Sequence, residues 1–401
     1  MRALTPDAMT ISGPAPAATA AASGVARAFE TVEVHAAAEP VLSAWAELEQ
    51  LAPCSIYQTR AWLLPWIAAL AAPAGLLPRF VLARGADARP VALLCLGLRK
   101  RGPLCLARWM GGKDANFNMA LVAPSSSWTR RELMRLLRAA ARQLGRDAPD
   151  LLVLVNQPLD WGGVANPFAK LSRQPSPSAA YAMTLTGDPD RLFAAKLSSD
   201  ARKKLRKKEA KLAALGPITH VVASTEVERR ELLDAFLRLR NARFRAQNIA
   251  SPFEAEEMAR FIATASEGDA HGIELHALKV GSRIVAVYGG AAWQCQWSGM
   301  FNAFDMDPTV AAASPGDLLL QRIVATCCRD GLKRFDLGIG AARYKSALCD
   351  EEIALFDVFV PLSPMGGVMK MALAAKQKLK GSVKRDPRLY GLAKRLLGRR
   401  G

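Results

Sequence analysis

Histidine is scarce in this sequence, and paired cysteines are missing. The chain has four histidines and seven cysteines, and no two cysteines form a CxxC pair. Structural zinc sites usually combine such pairs with further Cys or His ligands, so no metal is expected. The odd count and the apolar neighbours indicate reduced, mostly buried thiols in a reducing compartment. The cysteines are Cys54, Cys95, Cys105, Cys295, Cys327, Cys328 and Cys349.

Long apolar runs are missing as well. No segment approaches the roughly 18 consecutive apolar residues that predict a membrane-spanning helix. The stretch 61–77 is apolar, but prolines and a glycine interrupt it, and it fits a buried helix. The first 28 residues have no charged start followed by an apolar run, so we predict a disordered leader rather than a secretory signal. Met9 is a second candidate start. These absences predict a cytoplasmic protein.

The motifs of several enzyme classes are also missing. No paired GxGxxG follows the first strand, no Walker lysine is present and no GxSxG elbow occurs. His220, His271 and His276 have no obvious spacing to an Asp or Ser. The sequence therefore does not support a dinucleotide-binding enzyme, a P-loop NTPase or a Ser–His–Asp hydrolase.

Positive charge is abundant and concentrated. The formal net charge is +18. From residue 370 to 401, 11 Lys and Arg face one acid, Asp386, and between 196 and 211 eight basic residues face two acids. Such clusters attract phosphates, nucleic acid or anionic lipid. The alternative for each cluster is a solvated helix face.

Alternating β and helical patterns predict a mixed α/β chain in two lobes. The segments 80–84 and 90–98 read as a hairpin, and a helical pattern at 128–144 and an apolar strand at 151–155 follow. A similar order recurs at 273–337, which suggests duplication of one unit, although two unrelated α/β halves would show it too. The predicted domains are a leader at 1–28, lobes at 29–180 and 181–364, and a basic amphipathic tail at 365–401.

The segment Ser314-Pro315-Gly316-Asp317 has the features of a helix start. Ser314 suits the N-cap, Pro315 the first helical position, and Gly316 removes a side chain from the helix mouth. The free N–H groups and the dipole of a helix start favour a phosphate or diphosphate. Asp317 stabilises the helix but would repel a phosphate placed too near. An ordinary capped helix is the alternative.

A second segment carries candidate catalytic groups. Asp336 stands near the end of a predicted strand, two glycines follow, and Tyr344 and Lys345 come next. Amide formation needs one group to accept the proton of the amine and another to protonate the departing thiolate; a tyrosine can do the second, and an acid or a lysine of lowered pKa can assist either. The alternatives are an Asp336 that caps a turn and a solvated Tyr–Lys pair in an exposed loop.

The cluster at 201–208 predicts a basic helix. Arg202 and Arg206 share one face at helical spacing, and Lys204 and Lys208 share another. Such a helix could clamp a phosphorylated donor or a polyanionic acceptor. Plain surface is the alternative.

Three segments together resemble a known family. The "SPGDLLL" helix, the "KRFDLGIG" strand and the "RYKSALC" loop resemble the GNAT-type acetyltransferases of cellulose and polysaccharide biosynthesis, the CelD/BcsL group, which is similar to the FemAB peptidyltransferases. The segment 197–216 resembles the basic helix that precedes the catalytic lobe in this group. The likeness covers residues 30–362 and is most specific in the second lobe.

This resemblance implies a fold and a site. The fold would be two tandem GNAT-like domains, each a mixed, mostly antiparallel sheet flanked by helices. The acyl donor would lie at a splayed strand pair, with its diphosphate at Ser314, Gly316 and Asp317. Lys345 falls near a lysine implicated in transfer in Fem-type enzymes, with Tyr344 beside it as candidate acid. The usual Q/RxxGxG/A loop is absent, and "AAASPGD" stands in its place.

The expected function is an acyltransferase that uses acetyl-CoA or another acyl-CoA and modifies an amine or hydroxyl of a sugar or polysaccharide precursor. One alternative is a FemAB-like transferase with an aminoacyl-tRNA donor, since the basic clusters suit tRNA phosphates. Another is a non-catalytic partner of a membrane polysaccharide machine, held at the inner face of the membrane by the basic tail. An acceptor pocket could include Trp293, Trp297, Phe301 and Asn302, although core packing is the alternative for the aromatic residues.

Overall fold

The structure is a computed structural model that describes residues 27–124, 127–248, 250–251, 253–267 and 272–385, with the side chains of residues 343 and 376–385 left out. Met9, His271, residues 1–26 of the expected leader and residues 386–401 of the expected tail lie outside this part. Ala28, assigned to the leader by sequence, is buried. The helices that the structure describes do not combine the length and apolar character needed to cross a bilayer.

The first half of the chain builds most of one sheet and three helices. Its strands are β1 (Thr31–His35), β2 (Leu77–Arg84), β3 (Pro90–Arg101), β4 (Leu104–Trp109), β5 (Leu121–Val122), β6 (Leu151–Pro158), the short pair β7 (Asp160–Trp161) and β8 (Val164–Ala165), and β9 (Arg173–Pro175). Its helices are α1 (Leu42–Leu51), α2 (Arg60–Trp66), which continues into a π-helical turn at Ile67–Ala71, and α3 (Arg130–Leu144).

The second half repeats this plan with more helices. Its strands are β10 (Ala180–Thr184), β11 (Ile218–Val222), β12 (Glu274–Val280), β13 (Arg283–Trp293), β14 (Gln296–Phe304), β15 (Arg334–Ile339), β16 (Glu351–Ile353) and β17 (Leu355–Pro361). Its helices are α4 (Pro189–Lys196), α5 (Ser199–Ala213), α6 (Glu226–Ala246), α7 (Glu256–Glu267), α8 (Pro308–Ala311), α9 (Pro315–Arg329), α10 (Arg343–Leu348) and α11 (Pro364–Arg385).

The two sheets share one topology. The first runs β1-β2-β3-β4-β6-β17-β9, with β5 beside β3, and the second runs β11-β12-β13-β14-β15-β10-β16. Within each sheet a single neighbouring pair is parallel, β4 with β6 and β14 with β15. The expectation of two lobes, each with a mixed, mostly antiparallel sheet flanked by helices, is therefore confirmed.

The lobes exchange strands. In the first half the chain leaves its own sheet after β9 and places β10 in the second sheet, between β15 and β16. In the second half it leaves after β16 and places β17 in the first sheet, between β6 and β9. The boundary at 181 fits the position of β10. The assignment of residues 355–361 to the second lobe is wrong, because their backbone hydrogen bonds close the first sheet.

Helix periodicity correctly located the two central helices. The α3 residues Leu133, Leu136, Leu137 and Ala140 are buried, and the Thr129 side chain accepts from the Glu132 N–H to cap the helix. On α9, Leu318, Leu319, Ile323, Val324 and Cys327 are buried in the core of the second lobe. Both helices therefore use their apolar stripe to cover one face of their own sheet.

The described part of the expected tail is not separate from the lobes. Helix α11 begins at Pro364, and its Met369 and Leu373 pack against Leu106, Leu151 and Phe359 of the first lobe. A further core contains residues of both lobes, among them Phe80 and Trp45 from the first and Phe236 and Ile262 from the second. The lobes thus share buried apolar surface as well as strands.

Candidate donor and transfer site

The parallel strands β14 and β15 separate at the centre of the second sheet. They pair only from Gln296 to Ser298 and from Arg334 to Asp336, whereas β14 continues to Phe304 and β15 to Ile339. Beyond these pairs the backbone groups that face the gap are not bonded strand to strand. This is the splayed strand pair that the resemblance implied.

A side chain from the first lobe bridges this gap. The Asn116 amide nitrogen donates to the Gly299 carbonyl on β14 at 3.1 Å and to an Asp336 carboxylate oxygen on β15 at 2.9 Å. Gly338 follows at φ +79°, and a Cβ there would lie 2.8 Å from the Asn116 side-chain oxygen. Glycine is therefore needed at this position both for the backbone conformation and for the close approach of Asn116.

Asp336 is completely buried behind this bridge. One carboxylate oxygen accepts from the Gly338 N–H at 2.7 Å and the other from Asn116. Burial raises the pKa of Asp336 to about 6, while those two hydrogen bonds and the charges of Arg334 and Lys345 act in the opposite direction. Both oxygens are engaged inside the protein. These contacts fit the positioning of β15, and direct catalysis by Asp336 stays a prediction.

Lys345 is buried rather than exposed in a loop. It lies on α10, and its ammonium group donates to the carbonyls of Gly338 at 3.0 Å and Ile339 at 3.2 Å. Burial lowers the pKa of Lys345, and the charge of Asp336 partly offsets this. The side chain ties α10 to the end of β15. This contact explains the residue structurally, and its expected role in transfer stays a prediction.

Tyr344, the neighbour of Lys345, is not buried with it and remains 36% exposed. Burial raises the pKa of its phenol, and the nearby Cys349 and Asp317 raise it further. Leu348 of α10 and Leu318 of α9 also lie in one apolar core, so the structure brings α10 and the start of α9 together. Tyr344 is therefore the residue of the predicted catalytic set that combines an accessible side chain with a position beside the donor candidates.

Tyr288 on β13 is a residue that sequence reasoning missed. Its hydroxyl lies 2.9 Å from the position that a Cβ on Gly299 would occupy, at the point where β14 separates from β15. Burial raises the pKa of Tyr288, and the charges of Tyr344 and Asp336 add to this while a hydrogen bond with the Asn302 side chain opposes it. Tyr288 and Asn116 lie far from Tyr344 in sequence, and no local motif marks them.

The start of α9 differs in detail from the expected cap. Ser314 has φ +48° in the left-handed region, and its side chain accepts no capping hydrogen bond. The amides of Asp317 and Leu318 donate to the Ser314 carbonyl. Since Pro315 has no N–H, the Gly316 amide is the one in this turn that donates to no described residue. The turn therefore offers a single backbone donor.

Basic side chains surround this start. Lys208 of α5 lies 3.3 Å from Asp317, so the carboxylate that would repel a phosphate is paired. Arg243 of α6 stacks on Phe304 at 5.0 Å, and Phe304 lies beside Gly316. Arg206 is exposed, and Arg202 is half-buried with no described partner for its Nε. At the start of α9 the cation that pairs with Asp317 is thus Lys208 rather than either predicted arginine.

Of the expected acceptor residues Trp297 is buried in the core, whereas Trp293, Phe301 and Asn302 are half-buried. Trp297 is buried and stacks on Phe335 at 4.7 Å, and Phe301 packs on Phe236 at 4.6 Å. The Asn302 carbonyl accepts from Arg240. Open space lies instead beside the loop from β15 to α10, in a cavity of about 320 Å³ lined by Tyr181, Ala341, Ala342 and Ser346 and a neighbouring one of about 570 Å³ that includes residues 175–179 and 352.

A known protein family matches the segment that carries this geometry. Residues 199–346 match the family described as Acetyltransferase (GNAT) domain. The match covers most of the second lobe and less than half of the chain. The matched range of this GNAT domain runs from α5 to α10 and contains the splayed strands, the start of α9 and Tyr344. This family match confirms the expectation that the chain is an acyltransferase.

Solved structures are similar to the whole two-lobed chain. FemX shares 11% identity at a TM-score of 0.57, over 82% of this chain and 98% of FemX. A conserved protein of unknown function from Bacteroides thetaiotaomicron VPI-5482 shares 12% at 0.51, over 83% and 100%. The C-terminal domain (DUF2156) of a putative lysylphosphatidylglycerol synthetase from Agrobacterium fabrum shares 11% at 0.50, over 86% and 96%.

These likenesses place the GNAT domain in a shared two-lobed fold and, at such identities, show no more than the fold. No curated protein matches the chain. Membership of the CelD/BcsL group remains a prediction. Among the residues described, no group of three or more His, Cys, Asp or Glu side chains is placed to hold a metal ion.

Proposed function

We propose that the GNAT domain transfers an acetyl or longer acyl group from acyl-CoA to an amine or hydroxyl group of a sugar or polysaccharide precursor. The observation that carries this proposal is the separation of β14 and β15 next to Tyr344 and the start of α9. A gap between parallel strands presents unpaired backbone donors, and such donors stabilise the oxyanion of acyl transfer.

The residues around α9 fit the diphosphate of the donor. The Gly316 amide is available, Lys208 neutralises Asp317, and Arg243 lies beside Phe304 next to that amide. These groups combine a helix start with two cations, which is the chemistry that binds phosphates. Acyl-CoA would supply the activated thioester.

Tyr344 is the proposed general acid. Its raised pKa keeps the phenol protonated at neutral pH, so the hydroxyl can give its proton to the thiolate that leaves when the acceptor attacks the thioester carbon. An acceptor has room in the cavities at the loop from β15, one of which Ala342 and Ser346 line at α10. Asn116, Asp336 and Lys345 hold the strands and α10 in place around this step.

The donor assignment can be tested by ligand-induced stabilisation. Acetyl-CoA or a longer acyl-CoA at about 100 times its Kd should stabilise the wild type by about 2.7 kcal/mol and raise its melting temperature. Gly316→Trp should abolish the shift because the indole would fill the space beside Phe304. Gly187→Trp is the matched control, since Gly187 is exposed and faces open space.

The acyl-CoA assignment requires a specific result from this melting-temperature measurement. The control variant should shift as the wild type does. A wild type that fails to respond to acetyl-CoA and to every longer acyl-CoA would contradict the assignment, and so would an unchanged response in Gly316→Trp.

One observation favours the aminoacyl-tRNA alternative. Helix α5 exposes four basic residues, Lys203, Lys204, Arg206 and Lys207. This basic surface is larger than a single diphosphate requires and suits a polyanion such as tRNA. If tRNA is the donor carrier, binding should be strong in low salt and should weaken steeply as salt rises. Lack of any tRNA binding in low salt would remove this alternative.

A further inference from the structure

A large cavity lies away from the transfer site. It has a volume of about 1030 Å³ and lies on the face of the first sheet opposite α3. Strands β3, β4, β6 and β17 form its floor, and α2 with its π-helical turn, α7 and α11 form its rim. This volume is at the upper end of small-ligand pockets, which span about 300–1,000 Å³. We call this cavity the first-lobe cleft.

The floor and one wall of the first-lobe cleft are apolar. Leu106 on β4, Val153 and Val155 on β6 and Phe359 on β17 line the floor, and Met369 and Leu373 of α11 form the wall. These side chains provide a continuous apolar surface along the sheet. An alkyl chain laid along it would be removed from water at a gain of about 0.8 kcal/mol per buried CH₂.

Three arginines lie at one side of this apolar surface. Arg99 and Arg101 come from the end of β3 and Arg108 from β4. Within the described part of the chain none of them forms an ion pair, and the Nε of Arg108 has no hydrogen-bond partner there. Burial lowers the pKa of Arg108, and the charges of Arg99 and Arg101 lower it further. Three cations held together without an acid are electrostatically unfavourable until an anion joins them.

The other charged groups of the cleft leave this imbalance in place. Lys113 adds a positive charge, and Asp114 and Glu257 are the acids that line the cleft. The Asp114 carboxylate accepts from the Trp66 indole N–H at 3.1 Å, and burial raises the pKa of this acid. Asp114 is thus engaged by Trp66 and not by the arginines.

We propose that the first-lobe cleft binds an amphiphile with one long alkyl or prenyl chain and a phosphate head. Arginine forks bind phosphate oxygens in bidentate fashion, so the head would lie at Arg108 with Arg99 and Arg101 around it. The chain would lie on Leu106, Val155 and Phe359. The site is independent of the proposed acyl transfer, although Pro177 and Ser178 line both this cleft and the cavity next to the loop from β15 to α10.

Calorimetric titration of the full chain with monododecyl phosphate, kept below its micelle concentration, tests this proposal. Saturable binding is expected at one equivalent. Arg108→Gln should weaken it by roughly tenfold or more, because one charge-assisted hydrogen-bonding group is lost. Val155→Trp should weaken it by filling the floor. The matched control is Arg89→Gln, an exposed arginine in the turn after β2, which should bind as the wild type does.

Two further ligands distinguish the contribution of the phosphate head from that of the alkyl chain. Dodecyl maltoside, with the same chain and a neutral head, and inorganic phosphate, with no chain, should each bind at least tenfold more weakly than monododecyl phosphate. The proposal is overturned if the wild type does not bind monododecyl phosphate, if dodecyl maltoside binds equally well, or if a folded Arg108→Gln variant binds as tightly as the wild type. Acyl-CoA binding in these variants should be unchanged, so failure here would leave the proposed donor site unaffected.

Discussion

Tyr344 and Lys345 are adjacent in sequence but have different surroundings. The α10 helix turns the lysine inward onto the carbonyls of β15 and leaves the tyrosine partly exposed next to Asp317. Two of the three ammonium donors of Lys345 are thus bonded inside the protein. The tyrosine is the more accessible of the two, and its role as a general acid stays a prediction.

Replacement of this tyrosine tests the assignment directly. Tyr344→Phe should lower kcat by about 10²–10⁴-fold, the usual contribution of a general acid, with little change in the KM for acyl-CoA. Steady-state kinetics at several pH values will measure this, and the fall of kcat at high pH should disappear in the variant. A kcat within twofold of the wild type, in a variant that melts normally, would rule the role out.

Asp336 predicts a pH dependence of stability. Its pKa in the folded chain is about 6, above the ordinary 3.8, so the folded state holds this proton more tightly than the unfolded state. Ionisation of this buried carboxyl lowers the free energy of unfolding. The decrease is absent below about pH 4, grows between pH 4 and 6, and reaches about 3 kcal/mol above that window. Asp336→Asn removes this contribution to the pH dependence.

Urea unfolding at pH 4.5, 5.5 and 7 measures the effect of that substitution. The free energy of unfolding of Asp336→Asn relative to wild type should increase as the pH rises through this window, whatever the offset at low pH. Asp234→Asn on the exposed side of α6 is the control and should track the wild type. Parallel pH curves for Asp336→Asn and wild type would show that burial does not shift this carboxyl.

At the scale of single elements, α9 begins in an unusual way. The short helix α8 uses the amides up to Ser314, and Ser314 then enters the left-handed region so that α9 can start in a new direction. A side chain other than glycine costs about 1–2 kcal/mol there, and a β-branched one costs more. The kink keeps the Gly316 amide free at the mouth of the helix.

The left-handed residue gives a stability prediction for this element. Ser314→Gly should leave the free energy of unfolding unchanged or raise it by up to about 1 kcal/mol, since relief of strain opposes the larger entropy of the unfolded chain. Ser314→Val should lower it by about 1–2 kcal/mol. Chemical denaturation compares the two, and equal stabilities would contradict the strained backbone.

The sequence was informative about these elements to different degrees. The spacing of apolar residues located α3 and α9, and the turn signals located the hairpins, because both depend on neighbours in the chain. The same patterns could not reveal that Lys345 is buried or that Asn116 reaches Asp336. Those contacts join residues that are far apart in sequence and depend on how the lobes dock.

At the scale of the whole molecule, the exchange of β10 and β17 makes the two lobes interdependent. Each sheet contains a strand from the other half, and one core includes side chains of both. The predicted boundaries placed residues 355–361 in the second lobe, because an apolar pattern does not specify a pairing partner. We therefore expect one cooperative unit rather than two domains.

Calorimetry can test this cooperativity. A single unfolding transition is expected, with equal calorimetric and van't Hoff enthalpies. Val358→Ala, a fully buried change on β17, should shift the whole transition down through a loss of about 2 kcal/mol. Val227→Ala, 76% exposed on α6, is the matched control. Two resolved transitions, or a shift confined to one of them, would contradict the expectation.

The exchanged strand also affects how the protein is made. During synthesis the edge of β6 is translated some two hundred residues before β17, its partner in the sheet. A nascent chain on the ribosome therefore presents an open, apolar sheet edge until almost all of the second lobe has emerged. Such edges invite pairing with other chains, so chaperone binding near residues 151–158 would protect the growing polypeptide until its own late strand arrives.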